Sequence, residues 1–129
     1  MNLLLDTHIF LWIAEQPQRL APRVLDALRN PENELFLSVV SIWEIQIKAQ
    51  IGKLTLPLPV NEFVSIQRAI NQLYTLPVFE RHIWLLDTLP LYHRDPFDRL
   101  LVAQTIAEKY QLVTADPIFD QYPVERFEQ

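Results

Sequence analysis

Short apolar runs alternate along the chain with longer segments in which apolar residues recur at helical spacing. The runs Leu3–Leu5, Glu34–Val40 and Leu112–Thr114 have the length and composition of buried strands. Tyr74–Val78, which a proline interrupts, and Val124–Phe127 predict two further strands at sheet edges. Helices are predicted at Thr7–Glu15, Ala21–Arg29, Ser41–Gly52, Asn61–Leu73, Glu80–Leu89 and Asp95–Tyr110. This alternation indicates an α/β sandwich with a mainly parallel sheet.

Composition narrows the class of protein. The chain has 129 residues and no repeats or linkers, so residues 1–129 are expected to form a single domain. It has no cysteine, which excludes disulfides and thiolate metal sites. No apolar stretch is long enough for a transmembrane helix and the N-terminus lacks a basic leader, so a cytoplasmic protein without a membrane partner is expected. The net charge of -5 argues against nucleic-acid binding through a broad basic surface.

Four acidic residues occupy equivalent places in the predicted pattern. Asp6 ends the first strand, and Asp116 lies just past the strand Leu112–Thr114. Glu44 and Asp98 lie in the first turns of predicted helices. Because a crossover helix runs antiparallel to its strands, its N-terminus lies at the carboxyl edge of the sheet. All four acids are therefore expected at that edge, where α/β folds bind ligands.

Helix capping is the competing explanation for the same residues. Ser41–Glu44 fits a capping box, Asp95 fits an N-cap before a proline, and Asp116 fits a capped turn. Capping, however, does not require acids on different elements to converge, and converging carboxylates repel one another. A hard divalent cation such as Mg²⁺ or Mn²⁺ removes that cost and can activate water against a phosphodiester. On the pattern alone, both interpretations stay open.

Four motifs resemble those of the PIN-domain family, and more closely those of the VapC toxins of bacterial type II toxin–antitoxin pairs. They are Leu3-Leu4-Leu5-Asp6-Thr7-His8, Ser41-Ile42-Trp43-Glu44-Ile45, His93-Arg94-Asp95-Pro96-Phe97-Asp98-Arg99 and Leu112-Val113-Thr114-Ala115-Asp116. They occur in the family's order and spacing, and the resemblance covers nearly the whole chain.

The resemblance implies a fold, an activity and partners. The implied fold is a PIN-like three-layer α/β/α sandwich with a five-stranded, mainly parallel sheet. The implied activity is that of an endoribonuclease that uses one or two Mg²⁺ or Mn²⁺ ions. It also implies a homodimer or higher homo-oligomer and inhibition by a cognate antitoxin. Asp6, Glu44, Asp98 and Asp116 match the family's catalytic and metal-binding acids, with Asp6 and Asp98 as the direct ligands and Glu44 and Asp116 completing the site or holding a second ion.

Accessory residues surround these acids. Asp95 competes with Asp98 for the ligand role in the third motif, but an N-cap carboxylate is usually occupied by backbone N–H groups, which favours Asp98. Thr7 and Thr114 are candidates to hydrogen-bond the acids. The roles of Arg94 and Arg99 stay open: they either contact RNA phosphates, or face solvent or pair with a neighbouring acid.

Functions of other classes compete with the nuclease. A catalytically silent PIN-like module that only binds a partner or regulates one is the main alternative. A phosphoacceptor receiver needs adjacent acids after its first strand, and here Thr7 and His8 follow Asp6. A phosphatase of the haloacid-dehalogenase type needs a second aspartate at the position of His8 and ranks last.

Overall fold

The computed structural model describes residues 1–91 and 95–128 and contains a five-stranded sheet. Every pair of neighbouring strands is parallel, and the strand order is β3-β2-β1-β4-β5. The prediction of a mainly parallel sheet is confirmed, and so is the edge position of the third and fifth strands. The strands are β1 (Asn2–Leu5), β2 (Glu34–Ser38), β3 (Leu73–Leu76), β4 (Gln111–Thr114) and β5 (Glu125–Glu128).

Helices cover both faces of the sheet and give the predicted three-layer α/β/α arrangement. Leu3 and Leu5 of β1 pack into a core cluster with Phe10 and Phe63 on one face. Leu4, which points the opposite way because side chains alternate along a strand, packs with residues such as Leu101 on the other face. The helices are α1 (Thr7–Glu15), α2 (Pro22–Arg29), α3 (Val39–Gln50), α4 (Val60–Ile70), α5 (Glu80–Leu85) and α6 (Pro96–Glu108).

The start of α3 differs from the prediction. Ser38, and not Ser41, is the N-cap, since its side chain accepts a hydrogen bond from the backbone N–H of Val40 at 3.0 Å. The valine pair Val39–Val40, predicted to be strand because β-branched residues favour sheets, therefore forms the first turn of the helix. The predicted Ser41–Glu44 capping box is wrong, and Glu44 lies in the second turn, where no helix terminus requires its carboxylate.

Two residues with left-handed backbone conformation fix other boundaries. Gln72, at φ 54°, follows the end of α4, so β3 begins at Leu73 rather than at Tyr74. Lys109, at φ 59°, ends α6 two residues before β4 begins. Such conformations disfavour helix continuation in L-residues, which explains why each helix is shorter than its apolar pattern predicts.

A buried chain of hydrogen bonds connects the start of α3 to α5 and α6. Ser38 donates to the Gln104 side-chain oxygen at 2.5 Å, and the Gln104 amide lies 3.4 Å from Nδ1 of His82. The backbone N–H of Phe79 donates to that same Nδ1 at 3.0 Å, so the opposite ring nitrogen, Nε2, carries the proton that bonds Glu108 at 2.8 Å. Because buried polar groups must be paired, these hydrogen bonds hold α3 at a defined position on the sheet.

No helix within the described ranges is long and apolar enough to cross a membrane.

Candidate active site

Asp6 lies at the carboxyl end of the central strand β1, where it is 4% exposed. Its Oδ2 accepts a hydrogen bond from the Thr114 hydroxyl at 2.7 Å, and its Oδ1 accepts a weaker one from the backbone N–H of His8 at 3.3 Å. Burial raises the pKa of the Asp6 carboxyl, and the nearby charge of Glu44 acts in the same direction. The Thr114 hydrogen bond and His8 oppose this rise without cancelling it.

Glu44 reaches the same edge of the sheet from α3 and is 5% exposed. The Thr7 hydroxyl oxygen lies 2.8 Å from Glu44 Oε1 and 2.9 Å from Ser41 Oγ. A hydroxyl carries one proton, and the carboxylate is the stronger acceptor, so Thr7 donates to Glu44 and the Ser41 hydroxyl is left to donate to Thr7. Thr7 directly follows Asp6 in sequence, so this hydrogen bond brings the two carboxylates to one place.

The second oxygen of Glu44 is paired with a lysine one turn along α3. Lys48 Nζ lies 2.8 Å from Glu44 Oε2, and the two side chains are 35% and 7% exposed. The two residues are four positions apart on α3, so they lie on the same face of the helix and form an i,i+4 ion pair. A cation that binds Glu44 must therefore compete with the Lys48 ammonium.

Asp116 lies just after β4, on the same edge as Asp6. Its backbone N–H donates to the Thr114 hydroxyl at 3.0 Å, and that hydroxyl in turn donates to Asp6. One carboxylate oxygen of Asp116 accepts from the backbone N–H of Ile118 at 3.0 Å and caps a short 3-10 turn. Asp116 thus combines the predicted capping role with a position beside Asp6.

Asp98 and Asp95 belong to the N-terminus of α6. Asp95 is the N-cap, because its Oδ1 accepts from the backbone N–H groups of Phe97 at 2.8 Å and Asp98 at 3.3 Å. The capping part of the predicted division between these acids is confirmed. Asp98 lies half-buried in the first turn, and the Phe97 ring beside it stacks edge-on against Trp43 of α3 at 5.1 Å. The helices that carry Asp98 and Glu44 therefore touch at this end.

The two predicted phosphate-binding arginines are Arg94 and Arg99. Arg94 lies outside the described residues. The Arg99 guanidinium donates to the carbonyl of Leu86 at 3.3 Å and lines a cleft with Trp84 and Asp87, which is a different cleft from that of Asp6. The hydrogen bond to Leu86 holds Arg99 toward the α5 side of the molecule, and its contact with an RNA phosphate stays a prediction.

An open cleft of about 490 Å³ gives solvent access to the acids. Asp6 and Asp116 line it together with His8, Trp12 and Arg19. Trp12 is half-buried and forms part of this wall. Neither Arg19 nor its place in the cleft was predicted, because Arg19 belongs to a 3-10 turn without a motif or a periodic pattern.

The donor chemistry of this edge suits a hard divalent cation. Asp6 and Glu44 supply only oxygen atoms, and the mutual repulsion of two buried carboxylates is a cost that a cation relieves. The N-termini of α1, α3 and α6 also lie at this edge, and their dipoles favour negative charge there. Over residues 1–91 and 95–128, however, no three acidic or histidine side chains already form a complete metal-binding group.

The parallel sheet, the three layers and the acids at its carboxyl edge define the class of protein. The PIN-domain family model matches residues 3–125, and the chain belongs to that family. Among curated proteins, the chain is similar to ribonuclease VapC22 of Mycobacterium tuberculosis, with 29% identity over 116 residues that cover 89% of this chain and 87% of that protein.

Solved structures agree on the fold. A chain of the VapBC2 complex of Rickettsia felis, bound to a DNA fragment from its promoter, superposes with a TM-score of 0.75 at 16% identity and covers 100% of this chain and 99% of that one. A chain of FitAcB from Neisseria gonorrhoeae gives a TM-score of 0.64 at 20% identity, covering 97% and 96%. The predicted resemblance to the PIN-domain family is confirmed.

Proposed function

We propose that this protein is a divalent-metal-dependent endoribonuclease and the toxin of a type II toxin–antitoxin pair. One observation carries the proposal: Asp6 and Glu44 are both buried at the carboxyl edge of the sheet, joined through Thr7, and Asp6 lines an open cleft together with Asp116. The similarity to ribonuclease VapC22 supports RNA as the substrate. In the proposed reaction, water attacks the phosphodiester in line and the 3′-oxygen leaves.

Asp6 and Asp98 are the proposed direct ligands of Mg²⁺ or Mn²⁺, and Glu44 and Asp116 complete the site or hold a second ion. When bound, the ion supplies charge neutralisation of the phosphodiester and activation of the attacking water. Both oxygen atoms of Asp6 already accept hydrogen bonds, which fix the orientation of the carboxylate before a ligand arrives.

The remaining residues orient these acids. Thr7 and Ser41 form a hydroxyl relay that fixes one oxygen of Glu44, and Thr114 ties Asp6 to the backbone of Asp116. Lys48 neutralises Glu44 until the ion binds. These contacts hold the carboxylates in one arrangement, and such pre-organisation is what a reaction that depends on charge stabilisation needs.

An antitoxin that covers the cleft in the resting cell is the proposed partner. The structural relatives include toxin–antitoxin complexes, which supports a partner of this kind. A homodimer is proposed as well, since large apolar side chains remain exposed at the surface. Those exposed by more than half, among the residues that the structure describes, are Met1, Trp43, Ile51, Ile70, Tyr74, Trp84 and Leu91.

Cleavage of a mixed RNA pool tests the activity. The purified protein is incubated with RNA and either Mg²⁺, Mn²⁺ or EDTA, beside D98N and the control variant D26N, which removes an exposed acid from α2. We expect cleavage with either metal, none with EDTA, loss in D98N and full activity in D26N. Full activity in D98N contradicts its proposed role.

A catalytically silent PIN-like module is the second candidate. The observation in its favour is that no three metal-binding side chains are already grouped within the described part of the chain. Calorimetric titration with Mn²⁺ separates the two candidates. A nuclease binds the ion and loses this binding in D6N, whereas a silent module does not bind it.

A further inference from the structure

One wall of the cleft that Asp6 and Asp116 line is aromatic and positively charged. Trp12 projects from α1, and the Arg19 guanidinium lies over its indole, with Cζ 4.4 Å from the ring centroid. His8 lies on the same helix, with its ring centroid 6.3 Å from that of Trp12. Asp6 and Asp116 line the same cleft. A flat, charged group thus lies beside the acids proposed to hold the metal.

Because the protein is acidic overall, a positively charged side chain in this cleft matters for the approach of RNA. The net charge is -5, which argues against attraction of RNA by a broad basic field. Asp6 and Asp116 add a local negative field where the RNA backbone must approach. Among the cleft-lining residues that the structure describes, Arg19 is the one with a permanent positive charge.

The local structure also orients Arg19. It ends the 3-10 turn Pro17–Arg19, and its Nη1 donates to the side-chain oxygen of Gln16 at 3.3 Å. The Trp12 ring supports one face of the guanidinium, which limits its rotamers before any ligand binds. A planar guanidinium carries its N–H groups in one fork, whose geometry matches two phosphate oxygens.

We propose that Arg19, held flat by Trp12, binds a backbone phosphate of single-stranded RNA next to the phosphodiester that is cut. This inference rests on the proposed ribonuclease function. It makes Arg19 a substrate-positioning residue: it contributes to RNA affinity and leaves the binding of the metal unchanged. The wall consists of one guanidinium stacked on one indole. It offers a stacking surface to an exposed base, and bases are exposed in an unpaired strand, so single-stranded RNA is favoured.

Arg23 offers a matched control for Arg19. Its guanidinium also lies over an aromatic ring, with Cζ 4.8 Å from the centroid of Phe127, but it does not line the cleft of Asp6. R19Q and R23Q therefore remove the same charge and the same kind of ring contact from exposed arginines. R19K adds a variant that keeps the charge but loses the planar fork.

The experiment measures equilibrium binding of a fluorescent, random-sequence single-stranded RNA. It uses Ca²⁺ in place of Mg²⁺, with a gel to verify that the RNA stays intact, over a series of salt concentrations. We expect R19Q to bind roughly tenfold more weakly at low salt. The slope of log Kd against log salt should fall by about 0.7, the value for one lost contact to a single strand. R23Q should match the wild type, and R19K should lie between.

Cleavage kinetics with Mg²⁺ provide the second readout. We expect R19Q to raise KM without lowering kcat, and to leave Mn²⁺ affinity unchanged. Equal binding by R19Q and R23Q, in a wild type that binds RNA, overturns the inference and leaves the nuclease intact. Selective loss in R19Q without any cleavage by the wild type supports the RNA contact and removes the nuclease. A wild type that binds no RNA overturns both.

Discussion

Replacement of Lys48 by methionine tests whether Glu44 belongs to a cation site. Lys48 Nζ lies 2.8 Å from Glu44 Oε2, and Thr7 occupies the other carboxylate oxygen. K48M keeps the apolar stem and removes the ammonium. Without a metal, the buried Glu44 charge then loses its partner. With a metal, the ion no longer has to displace the lysine.

The exposures of the two side chains set the magnitude. Exposed pairs of this spacing contribute about 0.3–0.5 kcal/mol, and removal of one partner from a fully buried pair costs about 3–5 kcal/mol. The side chain of Glu44 is 7% exposed and that of Lys48 is 35% exposed, so solvent screens only one side of the pair. We expect K48M to lose about 1–2 kcal/mol of unfolding free energy in EDTA and to bind Mn²⁺ about 5–30 times more tightly.

Urea unfolding in EDTA and calorimetric Mn²⁺ titration measure these two quantities. K53M is the control, since Lys53 is an exposed lysine on the loop after α3. It should leave both quantities near the wild-type values, which separates the ion pair from a general loss of positive charge. Unchanged or weaker Mn²⁺ binding by K48M would mean that Glu44 does not contact the ion.

Three further variants test Thr7 and Asp6, which lie near this ion pair, and Glu108, which is remote from it. T7V should weaken Mn²⁺ binding by about 10–100-fold, because Glu44 loses its orienting hydroxyl; calorimetry measures this. Burial raises the pKa of Asp6 in the folded protein above its value in the unfolded chain. The free energy of unfolding without metal therefore falls as the pH rises from the pKa of the unfolded state through that of the folded state. D6N should accordingly melt at a higher temperature than the wild type at neutral pH in EDTA. Burial also acts to raise the pKa of Glu108, but the hydrogen bonds from His82 and Arg81 outweigh it and the net pKa is lowered. E108Q should therefore lose about 1–3 kcal/mol at neutral pH, and the difference should shrink as pH falls through the folded pKa; urea unfolding across pH measures it.

Much of the fold follows from local patterns. The apolar run before Asp6 and the helix Thr7–Glu15 agree with the structure because burial and periodicity point to the same elements there. The placement of acids at the carboxyl edge follows from chain direction alone, since every crossover helix must begin at that edge. Parallel topology thus predicts the neighbourhood of Asp6 and Asp116 without any knowledge of side chains.

Side-chain choices are where the pattern stops being informative. Ser38 and Ser41 are three residues apart and either can cap a helix, so local sequence does not decide between them. Ser38 is also held in place by a hydrogen bond to Gln104 of α6, which lies 66 residues further along the sequence. The bond from Thr7 to Glu44 likewise depends on how α3 packs against α1, which no local signal encodes.

The most direct test of the account is a map of where a bound cation lies along the chain. Fe²⁺ replaces Mg²⁺, ascorbate and peroxide generate hydroxyl radicals at the ion, and mass spectrometry identifies the backbone cuts. We predict cuts beside Asp6, Glu44, Asp98 and Asp116, which excess Mg²⁺ suppresses and D6N abolishes. Cuts confined to other segments, or none that Mg²⁺ suppresses, would contradict a metal-dependent nuclease built on these four acids.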